Sequence, residues 1–223
     1  MAERITLQAA DGHEFAAWRA DPPTPARGGI VVVHAIYGLT GHMGDLCDAF
    51  AAAGYAAIAP AFYDRIRPGI LFPYEGADPA ERRAVRDRLS ETGILADITA
   101  AQNALRTAGK VAVMGFCTGG TWGWFAACEL SLDAAVIYYG SNVCQHRDRT
   151  PRCPVVLHYG DKDHAVPFDD VEKIRTAHPE LPLYVYPGVG HAFHNPEQAH
   201  YDAEAAATAW RRTLDFLAVH VAG

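Results

Sequence analysis

The sequence predicts an α/β fold in which a mostly parallel sheet, preceded by an antiparallel hairpin, is covered by helices on both faces. Short apolar runs rich in valine and isoleucine alternate along the chain with longer segments of helical periodicity. Apolar residues at successive positions are typical of parallel strands that are buried on both faces. Near the N-terminus, residues 4–8 and 14–19 flank the turn signal Asp11-Gly12, which predicts the hairpin.

The first strand, helix, strand crossover follows a proline-rich loop. Residues 30–33 are β-branched and apolar, and they predict a buried parallel strand. An amphipathic helix is then expected to end at Gly54, before a second strand over residues 55–59. Residues 62–76 are irregular and aromatic, which favours a loop over a binding site.

The rest of the chain continues the alternation. Asp78-Pro79 predicts the cap and first turn of a charged helix, which is expected to pause near Thr92-Gly93 and then resume. Later strands are predicted over residues 111–114, 134–139, 155–159 and 183–186, with helices over residues 120–130 and 168–176.

The last helix is predicted to begin with Asn195 as its N-cap and Pro196 in its first turn. Its buried stripe is expected to contain Trp210, Leu214, Leu217 and Val221. The alanine-rich segment 203–209 is interpreted as helix surface.

Length and charge restrict the possible functions. The chain has 223 residues, half of them hydrophobic, which suits one domain spanning residues 1–223 with a sizeable core. The formal net charge of −7 argues against binding to nucleic acid or to a membrane surface. No apolar leader is visible, and no apolar run approaches the ~20 residues that span a bilayer. We therefore expect a cytoplasmic protein that acts on a small molecule.

The cysteines and histidines do not suggest a metal centre. Five cysteines without C-x-x-C spacing indicate reduced thiols and no disulfide framework or zinc site. A site built from His191, His194 and His200 is disfavoured because an H-x-x-H loop lacks the glutamate and the rigid helix of a zinc hydrolase. We expect no metal and no other cofactor.

The segment Gly115-Phe116-Cys117-Thr118-Gly119 lies between a predicted strand and a predicted helix. Glycines two residues to either side of a cysteine suit a sharp turn that lifts a nucleophile above the sheet. The helix N-terminus would then favour the thiolate form of Cys117. Packing alone can also produce such a turn, so the neighbouring strand ends must decide.

Polar residues that could activate a nucleophile follow two other predicted strands. Asp161 and Asp163 follow one predicted strand, and His191 follows the next. The chain order of nucleophile, acid and histidine is that of α/β-hydrolases, in which the imidazole takes the nucleophile's proton and a carboxylate orients the ring. In that fold, the oxyanion hole is formed by backbone N–H groups, which here would be those of Ile36 and Thr118.

These motifs resemble the dienelactone hydrolase family. The matching segments are H-A-I-Y-G-L at 34–39, G-F-C-T-G-G at 115–120, I-Y-Y-G at 137–140, G-D-K-D-H-A-V-P at 160–167 and G-H-A-F at 190–193. The resemblance implies an eight-stranded α/β-hydrolase fold and hydrolysis of a small lactone or carboxylic ester without a cofactor. It also implies a triad of Cys117, Asp163 and His191, and so favours Asp163 over Asp161.

The chain departs from the family at two positions near the site. Ala35 occupies a position where the family commonly has a glutamate that contacts the resting thiol. Asn195 and His194 stand where the archetypal enzyme has an arginine for a substrate carboxylate, and a second such arginine is represented here by Arg82 or Arg83. We therefore expect anionic lactones and neutral esters to be accepted comparably.

Aromatic residues near the predicted site suggest a small, mostly apolar ligand. The candidate binding residues are Tyr37, Arg82, Arg83, Trp122 and Phe193, with Phe72 and Tyr74 as further aromatic candidates. Two other functions stay open at this point. A non-catalytic binding protein is compatible with Ala35, and a redox-sensing thiol protein is compatible with a reactive Cys117.

Overall fold

The computed structural model describes residues 1–222, and eight of its strands form one sheet. The strands are β1 (Glu3–Gln8), β2 (Glu14–Ala20), β3 (Gly29–Val33), β4 (Ala56–Pro60), β5 (Val111–Phe116), β6 (Ala134–Tyr138), β7 (Val155–Gly160) and β8 (Leu183–Tyr186). The longer helices are α1 (Gly41–Ala52), α2 (Pro79–Arg86), α3 (Glu91–Leu105), α4 (Thr118–Glu129), α5 (Phe168–Ala177) and α6 (Ala203–His220).

The sheet has the order β1-β2-β4-β3-β5-β6-β7-β8. β2 pairs antiparallel with both β1 and β4, and the other neighbouring strands are parallel. Every residue of β3 to β7 is buried, and because successive side chains point to opposite faces, both faces are covered. The predicted fold class, with its N-terminal hairpin, is confirmed. Among residues 1–222, no helix has the length and apolar character that crossing a membrane requires.

The start of the last helix was predicted wrongly. α6 begins at Ala203, and Asp202 caps it by accepting a hydrogen bond from the Ala205 N–H at 2.9 Å. Asn195 instead closes a short turn, in which its side-chain oxygen accepts from the Glu197 N–H at 2.9 Å. An asparagine before a proline suits either a helix start or such a turn, so the local sequence did not distinguish them.

The buried face of the last helix overlaps only in part with the predicted stripe. Leu217 and Val221 are fully buried as predicted. Ala205, Ala206 and Ala209 are buried together with Leu217, so the alanine-rich segment is part of the packing and not free surface. Trp210 is only partly buried, and its ring lies 4.7 Å from that of Phe50. Small side chains allow this helix to approach the sheet closely.

The expected pause in the mid-chain helix is a complete break, and it comes earlier than Thr92. α2 ends at Arg86, and α3 starts after Ser90, whose hydroxyl accepts from the Gly93 N–H at 3.1 Å. Gly93 lies within α3 and faces Arg65, whose Cδ would be 3.0 Å from an added Cβ. The glycine therefore permits close side-chain packing and does not end the helix.

Candidate active site

Cys117 lies on the sharp turn between β5 and α4, with φ 55° and ψ −118°. A Cβ on Gly115 would overlap the carbonyl of Gly119, and a Cβ on Gly119 would overlap the carbonyl of Val33. A larger residue at Gly115 would therefore collide with the start of α4, and one at Gly119 would collide with β3. The strained backbone of Cys117 is held by its neighbours, since its N–H donates to the Tyr138 carbonyl at 3.0 Å.

His191 and Asp163 form a buried pair beside this turn. His191 Nδ1 lies 2.7 Å from Asp163 Oδ2, and the Asp163 side chain has no solvent exposure. The other carboxylate oxygen accepts from the N–H groups of Ala165 and Val166 at 2.7 and 2.9 Å. These bonds fix the carboxylate, which in turn fixes the imidazole ring and leaves its Nε2 free of protein partners among residues 1–222.

Asp161, the carboxylate that spacing alone could not exclude, has a different contact. Its Oδ1 accepts from the Gly188 N–H at 2.6 Å and so stabilises the turn after β8. The structure therefore brings His191 together with Asp163 and leaves Asp161 as a turn residue. This is the choice that the family resemblance implied.

The thiol and the imidazole influence each other's protonation. Burial would raise the pKa of Cys117, but the positive charge of His191, helped by hydrogen bonds, lowers this pKa to about 7. Burial would lower the pKa of His191, but the charge of the Cys117 thiolate and the hydrogen bond to Asp163 raise it. The arrangement favours a thiolate and imidazolium pair at neutral pH.

Two backbone N–H groups were predicted to hold an oxyanion. Thr118 is the first residue of α4, and Ile36 lies in the loop after β3, where its N–H donates to no other group within residues 1–222. Side chains fix that loop: the Tyr63 hydroxyl donates to the Ile36 carbonyl at 2.8 Å, and His34 Nδ1 lies 2.7 Å from the Ala35 carbonyl. The loop can therefore hold a donor in a fixed direction without using it internally.

The cavity above Cys117 has a volume of about 230 Å³. Its wall is formed by Ala35, Ile36, Tyr37, Gly38, Thr40, His42, Met43, Tyr74, Pro79, Arg82, Arg83, Phe116, Cys117, Tyr139, His164, Ala165, His191, Ala192, Asn195 and Gln198. This wall contains arginines and histidines but, within the described chain, no aspartate or glutamate. The space suits a small ligand, and apart from the pair of Cys117 and His191 the fixed charges of the wall are the arginines Arg82 and Arg83.

The predicted binding residues Tyr37, Arg82 and Arg83 all lie on this wall. The guanidinium of Arg82 lies 4.8 Å from the centre of the Tyr37 ring, which fixes its position by a cation–π contact. Its Nε is buried and has no hydrogen-bond partner among the described residues, whereas Arg83 is exposed. Arg82 is therefore oriented and has a free donor.

Trp122 and Phe193 do not line the cavity, and this part of the prediction needs correction. Trp122 lies below the site, with its ring 5.4 Å from Phe62 and 5.8 Å from His34. Phe193 is fully buried, with its ring 5.4 Å from that of Tyr139. Both side chains support the floor of the site, and their sequence positions did not reveal on which side of the backbone they point.

The sequence did not single out several residues of the site. The most informative is Ser141, whose Oγ lies 3.5 Å from Cys117 Sγ. It follows β6, so the rule that sites form beyond the carboxyl ends of parallel strands would have included it. His164 and Gln198 also lie on the wall, but Gln198 belongs to a turn region that was interpreted as helix.

The histidines that the sequence analysis disfavoured as a metal site have different surroundings. His194 points into the interior, with its ring 5.0 Å from Tyr138 and 5.5 Å from Phe116. His191 is paired with Asp163. Within residues 1–222, no group of three or more histidine, cysteine or acidic side chains is arranged to hold a metal ion.

Known proteins match this chain over most of its length. The sequence profile of the dienelactone hydrolase family matches residues 15–221. A carboxymethylenebutenolidase of Pseudomonas putida is 31% identical over 230 residues, covering 98% of this chain and 97% of that protein. A Yersinia pestis protein proposed to be a carboxymethylenebutenolidase is 33% identical over 233 residues, covering 94% and 85%. The structure of a proposed dienelactone hydrolase from Klebsiella pneumoniae subsp. pneumoniae has a TM-score of 0.87 at 29% identity, with 98% of each chain covered.

Proposed function

The chain belongs to the dienelactone hydrolase family, and from this premise we propose that it hydrolyses a small lactone or ester through a cysteine acyl-enzyme. Membership supports a hydrolase that acts on lactones or carboxylic esters. The observation that carries the cysteine mechanism is the cavity in which the thiol of Cys117 and the paired imidazole of His191 meet. The roles of these residues are assigned from that geometry.

The proposed reaction begins with attack of the Cys117 thiolate on the carbonyl carbon. A carbon–sulfur bond forms, and the N–H groups of Ile36 and Thr118 stabilise the negative charge on the carbonyl oxygen. The carbon–oxygen bond of the ester or lactone then breaks while His191 donates its proton to the leaving oxygen. Asp163 keeps the ring oriented and stabilises its positive charge.

The second half of the reaction releases the acid. His191, now neutral, takes a proton from water, and the resulting hydroxide attacks the thioester carbon. The carbon–sulfur bond breaks, so that Cys117 leaves as a thiolate and the product leaves as a carboxylic acid. The enzyme returns to the thiolate and imidazolium pair with no cofactor consumed.

The cavity wall also supports a substrate class. Arg82 and Arg83 have no carboxylate partner among the described residues, and the Nε2 of Gln198 is buried without a hydrogen bond. Unpaired buried donors cost about 1–3 kcal/mol each, so a ligand with acceptor atoms is favoured. We infer a small lactone that bears a carboxylate, in contrast to the sequence expectation that neutral esters are accepted equally well.

A screen of small lactones and aryl esters tests the proposal, with the Cys117→Ala variant as the blank. We expect turnover by the wild-type chain and none by the variant. Turnover by the variant would contradict the cysteine mechanism. If the wild type hydrolyses nothing, rapid oxidation of Cys117 by peroxide would favour the redox-sensing alternative, and a stable thiol would favour the binding protein.

A further inference from the structure

Ser141 connects the loop after β6 to the nucleophile turn by two contacts. Its backbone N–H donates to the Cys117 carbonyl at 3.2 Å, and its hydroxyl lies 3.5 Å from the Cys117 sulfur. The hydroxyl makes no other hydrogen bond to the described residues. The first contact fixes the position of Ser141, so the second is held in place without help from a ligand.

We propose that Ser141 is a catalytic residue whose hydroxyl donates a hydrogen bond to the Cys117 thiolate and holds the sulfur in its resting position. A thiolate can only accept, so the direction of this bond is determined once the thiol is ionised. The Thr118 hydroxyl is farther from the sulfur, at 3.9 Å. His191 and the Thr118 N–H also stabilise the thiolate, but the proposed reaction uses the first as proton donor and the second for the oxyanion. The proposal depends on the proposed function only in taking Cys117 as the nucleophile.

The groups around the sulfur determine what this bond does. His191 supplies positive charge, while burial raises the pKa of both Tyr63 and Tyr139, so these phenols stay neutral. Asp163 is paired with His191, and Ala35 contributes no charge. Ser141 is therefore a side-chain donor that stabilises the thiolate without adding charge. Its hydrogen bond contributes to the lowered pKa of Cys117, together with those of His191 and the Thr118 N–H.

Stabilising a thiolate has two opposite effects on its reactivity. A hydrogen bond to the charged form increases the ionised fraction below the thiol pKa. The same bond reduces the nucleophilicity of each thiolate, because nucleophilicity falls with basicity with a coefficient of about 0.4–0.5. Loss of the Ser141 hydroxyl should therefore slow the alkylation of Cys117 at low pH and accelerate it at high pH.

The test is the rate of alkylation by iodoacetamide as a function of pH for the wild type and for Ser141→Ala. We expect the midpoint to rise by about one pH unit in the variant. The plateau at high pH should rise about threefold, and the rate well below the midpoint should fall about threefold, so that the two curves cross. Unfolding would also move the midpoint toward the ~8.5 of free cysteine, so only variants that are folded are compared.

Two further variants separate the effect of the hydroxyl group from the effect of side-chain size. Ser141→Thr and Ser141→Val have side chains of nearly equal size, and only the threonine keeps the hydroxyl. We expect the threonine variant to have a midpoint near that of the wild type and the valine variant to follow Ser141→Ala. Thr118→Val should shift the midpoint less, because its hydroxyl is farther from the sulfur.

An unchanged midpoint in the folded Ala and Val variants would overturn the proposal, and so would equal midpoints for threonine and valine. Circular dichroism establishes which variants are folded, and if Ser141→Ala is not, the Thr and Val pair decides. Alkylation requires no lactone or ester substrate. The alkylation test can therefore support the role of Ser141 even if no ester or lactone is hydrolysed. It can also contradict that role even if hydrolysis is observed.

Discussion

Cys117, the proposed nucleophile, has a backbone conformation that residues with side chains rarely adopt. Residues in such sparsely populated regions cost about 1–3 kcal/mol, which the surrounding structure must supply. We expect Cys117→Ala to lose at least about a thousandfold in kcat while it remains folded. Cys117→Gly should lose as much activity. Its free energy of unfolding should be about 1 kcal/mol higher than that of Cys117→Ala, because glycine relieves the strain, and its denaturant midpoint should be higher accordingly. Equal unfolding midpoints for the two variants would show that the turn is not strained.

The protonation state of Cys117 should control the rate at which the thiol is alkylated. A pKa of about 7 lies below the ~8.5 of a free cysteine, so the thiolate fraction should rise through neutral pH. Alkylation of the wild-type chain by iodoacetamide should therefore accelerate as the pH increases through about 7 and then level off. The Cys117→Ala variant corrects for labelling at other cysteines. A midpoint at or above that of free cysteine would contradict the thiolate and imidazolium pair.

Asp163 and Asp161 are two residues apart, and they provide a matched pair of substitutions. Asp163→Asn should lower kcat by about 10³–10⁴, because an amide no longer holds His191 in the required tautomer. Asp161→Asn should retain most activity, since an amide oxygen can still accept from the Gly188 N–H. Steady-state kinetics on the substrate found by screening decide the matter. Similar losses in both variants would mean that Asp163 has no special role.

At the scale of elements, the loop after β3 depends on the short helical turn Phe62–Arg65 below it. Tyr63, in that turn, donates to the Ile36 carbonyl, and its removal leaves the carbonyl unpaired. We expect Tyr63→Phe to reduce kcat about tenfold with a smaller change in KM, because the oxyanion donor on Ile36 is less well positioned. Tyr55→Phe is the control, since the buried Tyr55 hydroxyl has no hydrogen-bond partner in the described chain. A larger effect at Tyr55 would contradict this account.

The elements also show what the sequence could and could not predict. Strands such as β3 and β7 were predictable because apolar runs buried on both faces have few other solutions. The turn containing Asn195 was not, because an asparagine followed by proline satisfies helix and turn rules equally. The directions of Trp122 and Arg82 depend on how their helices dock onto the sheet, and no local pattern contains that information. The juxtaposition of Cys117, Asp163 and His191 was predictable, because strand ends and chain order constrain these residues jointly.

For the molecule as a whole, the arginines of the cavity wall are opposite in sign to the net charge of the chain. The chain has a formal net charge of −7, which repels anions at long range, while the cavity wall carries Arg82 and Arg83. Salt screens the long-range repulsion over about 10 Å at 0.1 M, but it weakens a partly buried arginine contact much less. An anionic substrate should therefore be recognised by short-range contact and not by attraction from a distance.

The short range of the arginine contact should determine which substrates the cavity prefers. For a carboxylate-bearing lactone, Arg82→Ala should lower kcat/KM about 10- to 100-fold, because a hydrogen bond to a charged group is lost. The methyl ester of the same lactone should be affected much less. Arg88→Ala is the matched control, since Arg88 is exposed and lies outside the cavity wall. Moderate salt screens the long-range repulsion between the negatively charged chain and the anionic lactone more than it weakens the arginine contact. The preference for the anionic lactone over its methyl ester should therefore stay the same or increase with salt. Equal loss for both substrates in Arg82→Ala would indicate that the arginine shapes the cavity without binding a carboxylate.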